Sequence, residues 1–155
     1  MIPIVSVVIS TYNRSKLLPH AIRSVLSQDR QDFEIIVIDD GSTDETSQVV
    51  ACFSDPRIRY FYQTNSGLAA GRNAGISESR GKYIVFLDDD DVFLPNKLSV
   101  QVSFMEAHRD LGWSAGGHLI TDLDGNVMEK WHPGCIILAL TQQPGFLTAL
   151  PAPRP

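Results

Sequence analysis

The chain has 155 residues, with 13 basic and 18 acidic side chains and a formal net charge of −5. Four of the acids are consecutive, Asp88 to Asp91, so the rest of the chain, with 14 acids against 13 bases, is close to neutral. A 43% hydrophobic, 20% charged composition without a basic stripe excludes a disordered or fibrous chain and argues against a nucleic-acid binder, while the length suits one domain that buries about 70% of its extended surface.

Residues 4–10 form a β-branched run, as expected of a strand covered on both faces. Ser15 then opens a helical pattern in which Leu17, Leu18, Ala21, Ile22, Val25 and Leu26 share a face, with Pro19 in the first turn where its missing N–H costs little. A second apolar run, 33–38, stops at Asp39, Asp40 and Gly41. Ser42 and Glu45 have capping-box spacing, which predicts a helix running past Phe53. Residues 57–62 read as a third strand, and a turn at Asn65, Ser66 and Gly67 leads into a small-residue helix over 68–79. Residues 83–87, YIVFL, are a fourth strand that ends at the four aspartates. Pro95 is placed to open a helix ending near His108, and Asp91 is a candidate cap for it. Strand and helix thus alternate four times, which predicts a mainly parallel sheet flanked by helices, with functional loops at the carboxyl ends of the strands.

After Gly112 the pattern changes: residues 113–121 read as a strand, Asp124–Gly125 as a hairpin turn and 127–131 as the returning strand. From Trp131 onward Arg154 alone is charged, and five of the nine prolines fall there, which argues against a helix or a central strand. No apolar run approaches the ~20 residues that cross a bilayer. The first ten residues lack a basic leader, and Cys52 and Cys135 have no metal-site spacing, so a cytoplasmic protein without a transmembrane segment is expected.

The acidic clusters carry the chemistry. On an extended segment Asp88 and Asp90 would point one way and Asp89 and Asp91 the other. Close carboxylates repel unless a cation intervenes, and oxygen-only donors suit Mg²⁺ or Mn²⁺ bridged to a diphosphate, with Asp90 as the minimum ligand. Asp39 and Asp40 are either turn chemistry or a carboxylate fixed beside a nucleobase. Arg72 lies among small residues, 67–75, that would let a ligand approach the backbone. Tyr12 could stack on a base or pack over the sheet edge. His118 and Asp122 share a strand face with no further sign of catalysis.

Four segments, VSVVISTYNR (5–14), VIDDGSTDET (37–46), GLAAGRNAGI (67–76) and YIVFLDDDDVFLPNKL (83–98), together resemble the amino-terminal half of a family-2 glycosyltransferase of GT-A fold, and LITDLDGNV (119–127) resembles the next segment. The resemblance implies an α/β GT-A (Rossmann-like) mainly parallel sheet, a nucleotide-sugar-binding domain over 1–130 and a divergent proline-rich tail over 131–155. It implies a nucleotide-diphospho-sugar donor, UDP-linked by family expectation, a Mg²⁺ or Mn²⁺ cofactor, and inverting transfer to a glycan or lipid-linked acceptor, with peripheral membrane association open. Carried over by position, Ser10, Thr11 and Tyr12 line the base pocket, Asp40 accepts from the base with Asp39 beside it, and Arg72 faces the nucleotide or its diphosphate. Asp90 is the direct metal ligand, with Asp88 at the other end of the DxD motif, and Asp88 or Asp89 serves the ribose and metal waters.

Inversion also needs a general base, and no Asp or Glu follows Glu129. The sequence therefore reads as a donor-binding half without its carboxy-terminal acceptor part: a transferase by resemblance, or a truncated or degenerate module that binds nucleotide without turnover. A remoter alternative is a haloacid-dehalogenase-like phosphatase, since Asp88, Asp90 and Val92 fit a DxDxV pattern. That class usually carries the motif on its first strand and needs a later lysine and acid pair, whereas Lys130 has no acid downstream.

Overall fold

Eleven elements follow one another in the computed structural model, which describes residues 2–122, 126–131 and 139–141. They are β1 (Val5–Thr11), α1 (Leu18–Leu26), β2 (Phe33–Asp39), α2 (Thr46–Ala51), β3 (Ile58–Tyr62), α3 (Leu68–Glu78), β4 (Tyr83–Asp88), α4 (Lys97–Ala107), β5 (His118–Thr121), β6 (Val127–Trp131) and β7 (Ala139–Thr141). The main sheet has the order β3-β2-β1-β4-β7, with the first four strands parallel and β7 antiparallel to β4. The expected alternation is borne out. β7 is an addition to it, because three residues ahead of a proline-rich segment give too short a pattern to read.

β1, β2 and β4 are mainly apolar along their middles because both faces of the sheet are covered there. Val5, Val7 and Ile9 of β1 join Ile35, Val37, Val85 and Leu87 under α1 and α4. The alternate residues Val8, Ile36, Ile38 and Ile84 meet Ala74 and Ile76 of α3 on the other face. Helix α1 buries Leu18, Ala21, Ile22 and Val25, the i, i+3, i+4, i+7 stripe that its spacing predicts. Its first turn begins three residues later than expected, at Leu18. Helix α4 is not capped by Asp91. Its early amide, Leu98 N–H, donates instead to Oε1 of buried Gln28 at 3.0 Å, and Gln28 Nε2 donates to the Leu94 carbonyl at 2.8 Å. A partner 70 residues away in sequence replaces the local cap.

At the amino ends of the strands the buried Glu34 takes Ser6 Oγ and the Arg80 amide at 2.7 Å each, and Arg59 at 3.1 Å. This staple lies at the edge opposite the acidic clusters. Strand β5 is shorter than the 113–121 expected and pairs with β6 apart from the main sheet, closed by Asp122 and Asn126. The pair exposes Leu119, Ile120, Val127 and Met128. The predicted turn at Asp124–Gly125, Cys135 and most of the 131–155 tail lie outside the described residues. Among the described residues no helix is long and apolar enough to cross a membrane.

Candidate donor-binding site

Parallel register lines up the strand ends. Ser10 pairs with Asp88 and with Ile38, Thr11 with Asp39, and Asp39 with Tyr62, so three motifs distant in sequence share one carboxyl edge. Pleating then assigns each residue to a face. Ser10 falls on the α3 face, where a Cβ on Gly71 would stand 3.0 Å from its hydroxyl, and that buried hydroxyl has no hydrogen-bond partner among the described residues. Tyr12, beyond the strand end, is 48% exposed.

The four aspartates do not alternate as an extended strand would. Asp88 is the last residue of β4, and the chain turns at once, with the Asp91 amide donating to the Asp88 carbonyl at 3.0 Å. Asp88 lies on the α3 face, where Arg72 Nη2 donates to it at 2.7 Å with the guanidinium 5.5 Å from the Phe86 ring. Asp89 and Asp90 instead share one cation from the β1–α1 loop: Arg14 Nη1 donates to Asp89 at 3.2 Å and is also paired with Asp90. Asp88 and Asp90, expected on one side, are thus held by different arginines.

Burial separates these carboxylates further. The side chains of Asp88 and Asp90 are each 47% exposed, that of Asp89 only 7%. Burial raises the Asp89 carboxyl above its ordinary range, against the pull of the Arg14 guanidinium. Two guanidiniums against four carboxylates leave a local excess of two negative charges, which a divalent cation would offset. Among the described residues no three His, Cys, Asp or Glu side chains are grouped to hold a metal alone. Mg²⁺ and Mn²⁺ commonly take one or two carboxylates and complete their shell with water and substrate phosphates, and the half-exposed Asp88 and Asp90 fit that donor set.

Asp39 and Asp40 are both buried, and each organises a different loop. Asp39 is 1% exposed and accepts from the Ser42 amide at 2.7 Å and the Tyr60 hydroxyl at 2.6 Å. Burial, then this carboxylate, pushes the Tyr60 phenol up. Asp40 accepts from Gln63 Nε2 at 2.6 Å and from the amides of Ser66 at 2.9 Å and Gly67 at 2.8 Å. It therefore caps α3 across the sheet edge, with its charge at the positive end of the helix. Gly67, at φ +85°, makes the left-handed turn that presents those amides. A carboxylate has about four lone-pair sites, so Asp40 retains one.

The β2–α2 loop departs from the capping-box expectation. The residue before α2 is Glu45, without a side-chain cap, while Ser42 Oγ accepts from the Asn13 amide at 2.9 Å. Asp44 organises the turn instead, accepting from the Ser15 amide at 3.0 Å, the Thr46 amide at 3.1 Å and the Thr46 hydroxyl at 2.5 Å. Partial burial pushes its carboxyl up, but the Thr46 and Ser15 bonds outweigh that and hold it at about 2, against an ordinary 3.8. A depressed carboxyl stabilises the fold above its unfolded value, and the contribution is lost as pH falls from about 3.8 through about 2. In urea titrations Asp44→Asn should therefore lie below the wild type by about 1 kcal/mol at pH 6, after allowance for solvent screening, and the gap should close near pH 2.

Sequence reasoning missed Arg14, Gln63, Asp44 and Lys97. Asp44 alone carried a local signal, the Asp-x-Thr spacing of a side-chain turn. Lys97 opens α4 with Nζ 5.9 Å from the Phe93 ring centre, and burial lowers its ammonium to about 8.

Comparison with known proteins identifies the family. An uncharacterized glycosyltransferase of Rickettsia conorii is 45% identical over 131 residues, 84% of this chain but 22% of that protein, so the chain spans about a fifth of this relative's length. The structure of S. aureus TarS 1–349 in complex with UDP-GlcNAc superimposes with a TM-score of 0.65 at 30% identity, over 68% of this chain and 32% of that one. The fold is shared too with the mannosyltransferase PcManGT from Pyrobaculum calidifontis in complex with GDP-Man and Mn²⁺, TM-score 0.68 at 24% identity, over 74% of this chain and 35% of that one. The family model described as Glycosyl transferase family 2 matches residues 6–142, and with the parallel sheet and its loaded edge this makes the chain a member of glycosyl transferase family 2, with the GT-A fold.

Proposed function

We propose that this edge binds a nucleotide-diphospho-sugar, a UDP-sugar in the first instance, together with Mg²⁺ or Mn²⁺. We infer that the protein transfers the sugar with inversion to a hydroxyl of a glycan or lipid-linked acceptor. The observation that carries the reading is the convergence on one strand edge of a buried hydroxyl with no partner among the described residues (Ser10), an exposed aromatic (Tyr12), and two half-exposed carboxylates (Asp88, Asp90) beside Arg72 and Arg14. The UDP-GlcNAc complex of TarS and the GDP-Man and Mn²⁺ complex of PcManGT support the ligand class.

In this reading Tyr12 stacks on the base, Ser10 and Thr11 line its pocket, and Asp40 takes a base N–H with its remaining lone pair while Asp39 fixes the loop. Arg72 turns from Asp88 to the diphosphate. Asp88 is exposed enough to reach the ribose or metal waters, whereas Asp89 acts from below through Arg14. Asp90, with Asp88, holds the cation, which stabilises the negative charge that develops on the departing nucleoside diphosphate. Calorimetry tests the donor half. UDP should bind the 155-residue chain at least about tenfold tighter with Mn²⁺ than without, and equal affinity in the two conditions would overturn the metal-bridged site. Metal-dependent hydrolysis or transfer from a UDP-sugar by the same preparation tests turnover.

A further inference from the structure

Arg14 stands where metal and donor chemistry meet, and its two partners differ in kind. Asp89 is buried below the surface, and Asp90 is half exposed at the solvent boundary. The arginine's backbone is fixed as well. Its carbonyl accepts from the Leu17 and Leu18 amides at 3.0 and 3.1 Å, and its neighbour Asn13, at φ +52°, is tied to the β2–α2 loop through Ser42 and Thr43. One terminal nitrogen serves both acids, and because it carries two hydrogens each acid can take one. The guanidinium can therefore release the outer carboxylate and keep the inner one.

We propose that Arg14 couples cation binding to donor binding: it occupies Asp90 when no donor is present, and on arrival of the cation with the diphosphate it exchanges Asp90 for a phosphate oxygen while remaining anchored on Asp89. The proposal rests on the donor-site reading above and adds a direction to it. Arg14 opposes the cation alone, by holding a ligand and by its own charge, and favours the cation–diphosphate pair, where its freed N–H meets a new anion. Coupling of this kind is reciprocal, so each ligand strengthens the other by one common factor.

Calorimetry on the wild-type chain and on Arg14→Gln, with Mn²⁺ alone, UDP alone and UDP in saturating Mn²⁺, measures that factor. Arg14→Gln should bind Mn²⁺ alone about fivefold tighter, the scale of an exposed ion pair, and the factor by which Mn²⁺ improves UDP binding should fall at least as much. Arg14→Lys, which keeps the charge and loses the fork, should fall between the two. Unchanged Mn²⁺ affinity with unchanged coupling in Arg14→Gln, measured on a chain whose melting is intact, would overturn the proposal and leave the donor site standing. Absence of Mn²⁺-dependent UDP binding in the wild type would overturn both.

Discussion

Asp90→Ala should reduce Mn²⁺-dependent UDP affinity by about 100-fold while leaving the thermal midpoint nearly where it was. The two halves of that expectation have separate causes. Asp90 is half exposed and its bond is to a half-exposed arginine, so by the usual worth of such pairs its loss costs under about 1 kcal/mol of stability. As the proposed metal ligand it would be harder to replace, since even outer-shell partners of a metal are worth 10- to 100-fold in affinity. Asp89 supplies the contrast. Buried beneath the same arginine, its replacement by Ala takes away the anchor of Arg14 and leaves Asp90 in place, so it should weaken the mutual strengthening of Mn²⁺ and UDP without abolishing Mn²⁺-dependent binding. Calorimetry and thermal melting on both variants separate the roles, and UDP binding by Asp90→Ala that matches the wild type in Mn²⁺ would remove Asp90 from the metal site.

The second large effect lies under the site. Gly75, in α3, faces Val8 in the central strand, and a Cβ there would stand 2.2 Å from Val8 Cγ1 and 3.0 Å from Cγ2. Alanine is favoured over glycine in a helix by about 1 kcal/mol, yet the overlap here is too deep for that preference to decide the sign. Val8 is 1% exposed on a strand paired on both sides, so it cannot retreat, and the helix must lift. Overpacking of this kind costs about 1–3 kcal/mol, which for a chain of this size lowers the melting point by about 2–4 °C per kcal/mol. Gly75→Ala should also weaken UDP binding, since α3 carries Arg72 and presents its amino end to Asp40. Adding Val8→Ala should restore part of the loss, and a double-mutant cycle with no favourable coupling would show that Val8 is not what the new methyl meets.

Much of the fold was legible from local pattern. The four parallel strands, the helices between them and the α1 stripe all follow from periodicities that neighbouring residues impose on one another, because a strand buried on both faces is apolar along most of its length. The element ends were less so. Ser42 and Glu45 have the spacing of a capping box, but Ser42 is drawn to Asn13 across the edge and Asp44 takes over the turn. Gln28 caps α4 and Asp40 caps α3 from elements that sequence spacing cannot bring together.

The acidic run with which the composition began shows the division most clearly. By itself the sequence determined that four carboxylates end a buried strand, that further motifs end two others, and that a parallel sheet sends all of them to one edge. It could not determine how the four share their charge. The pleat persists only to Asp88, and the turn beyond it sends Asp89 and Asp90 to the same arginine, with Asp89 buried and Asp90 half exposed. Which carboxylate is buried, and which cation it meets, depends on helices packed from distant parts of the chain, and so on tertiary structure alone.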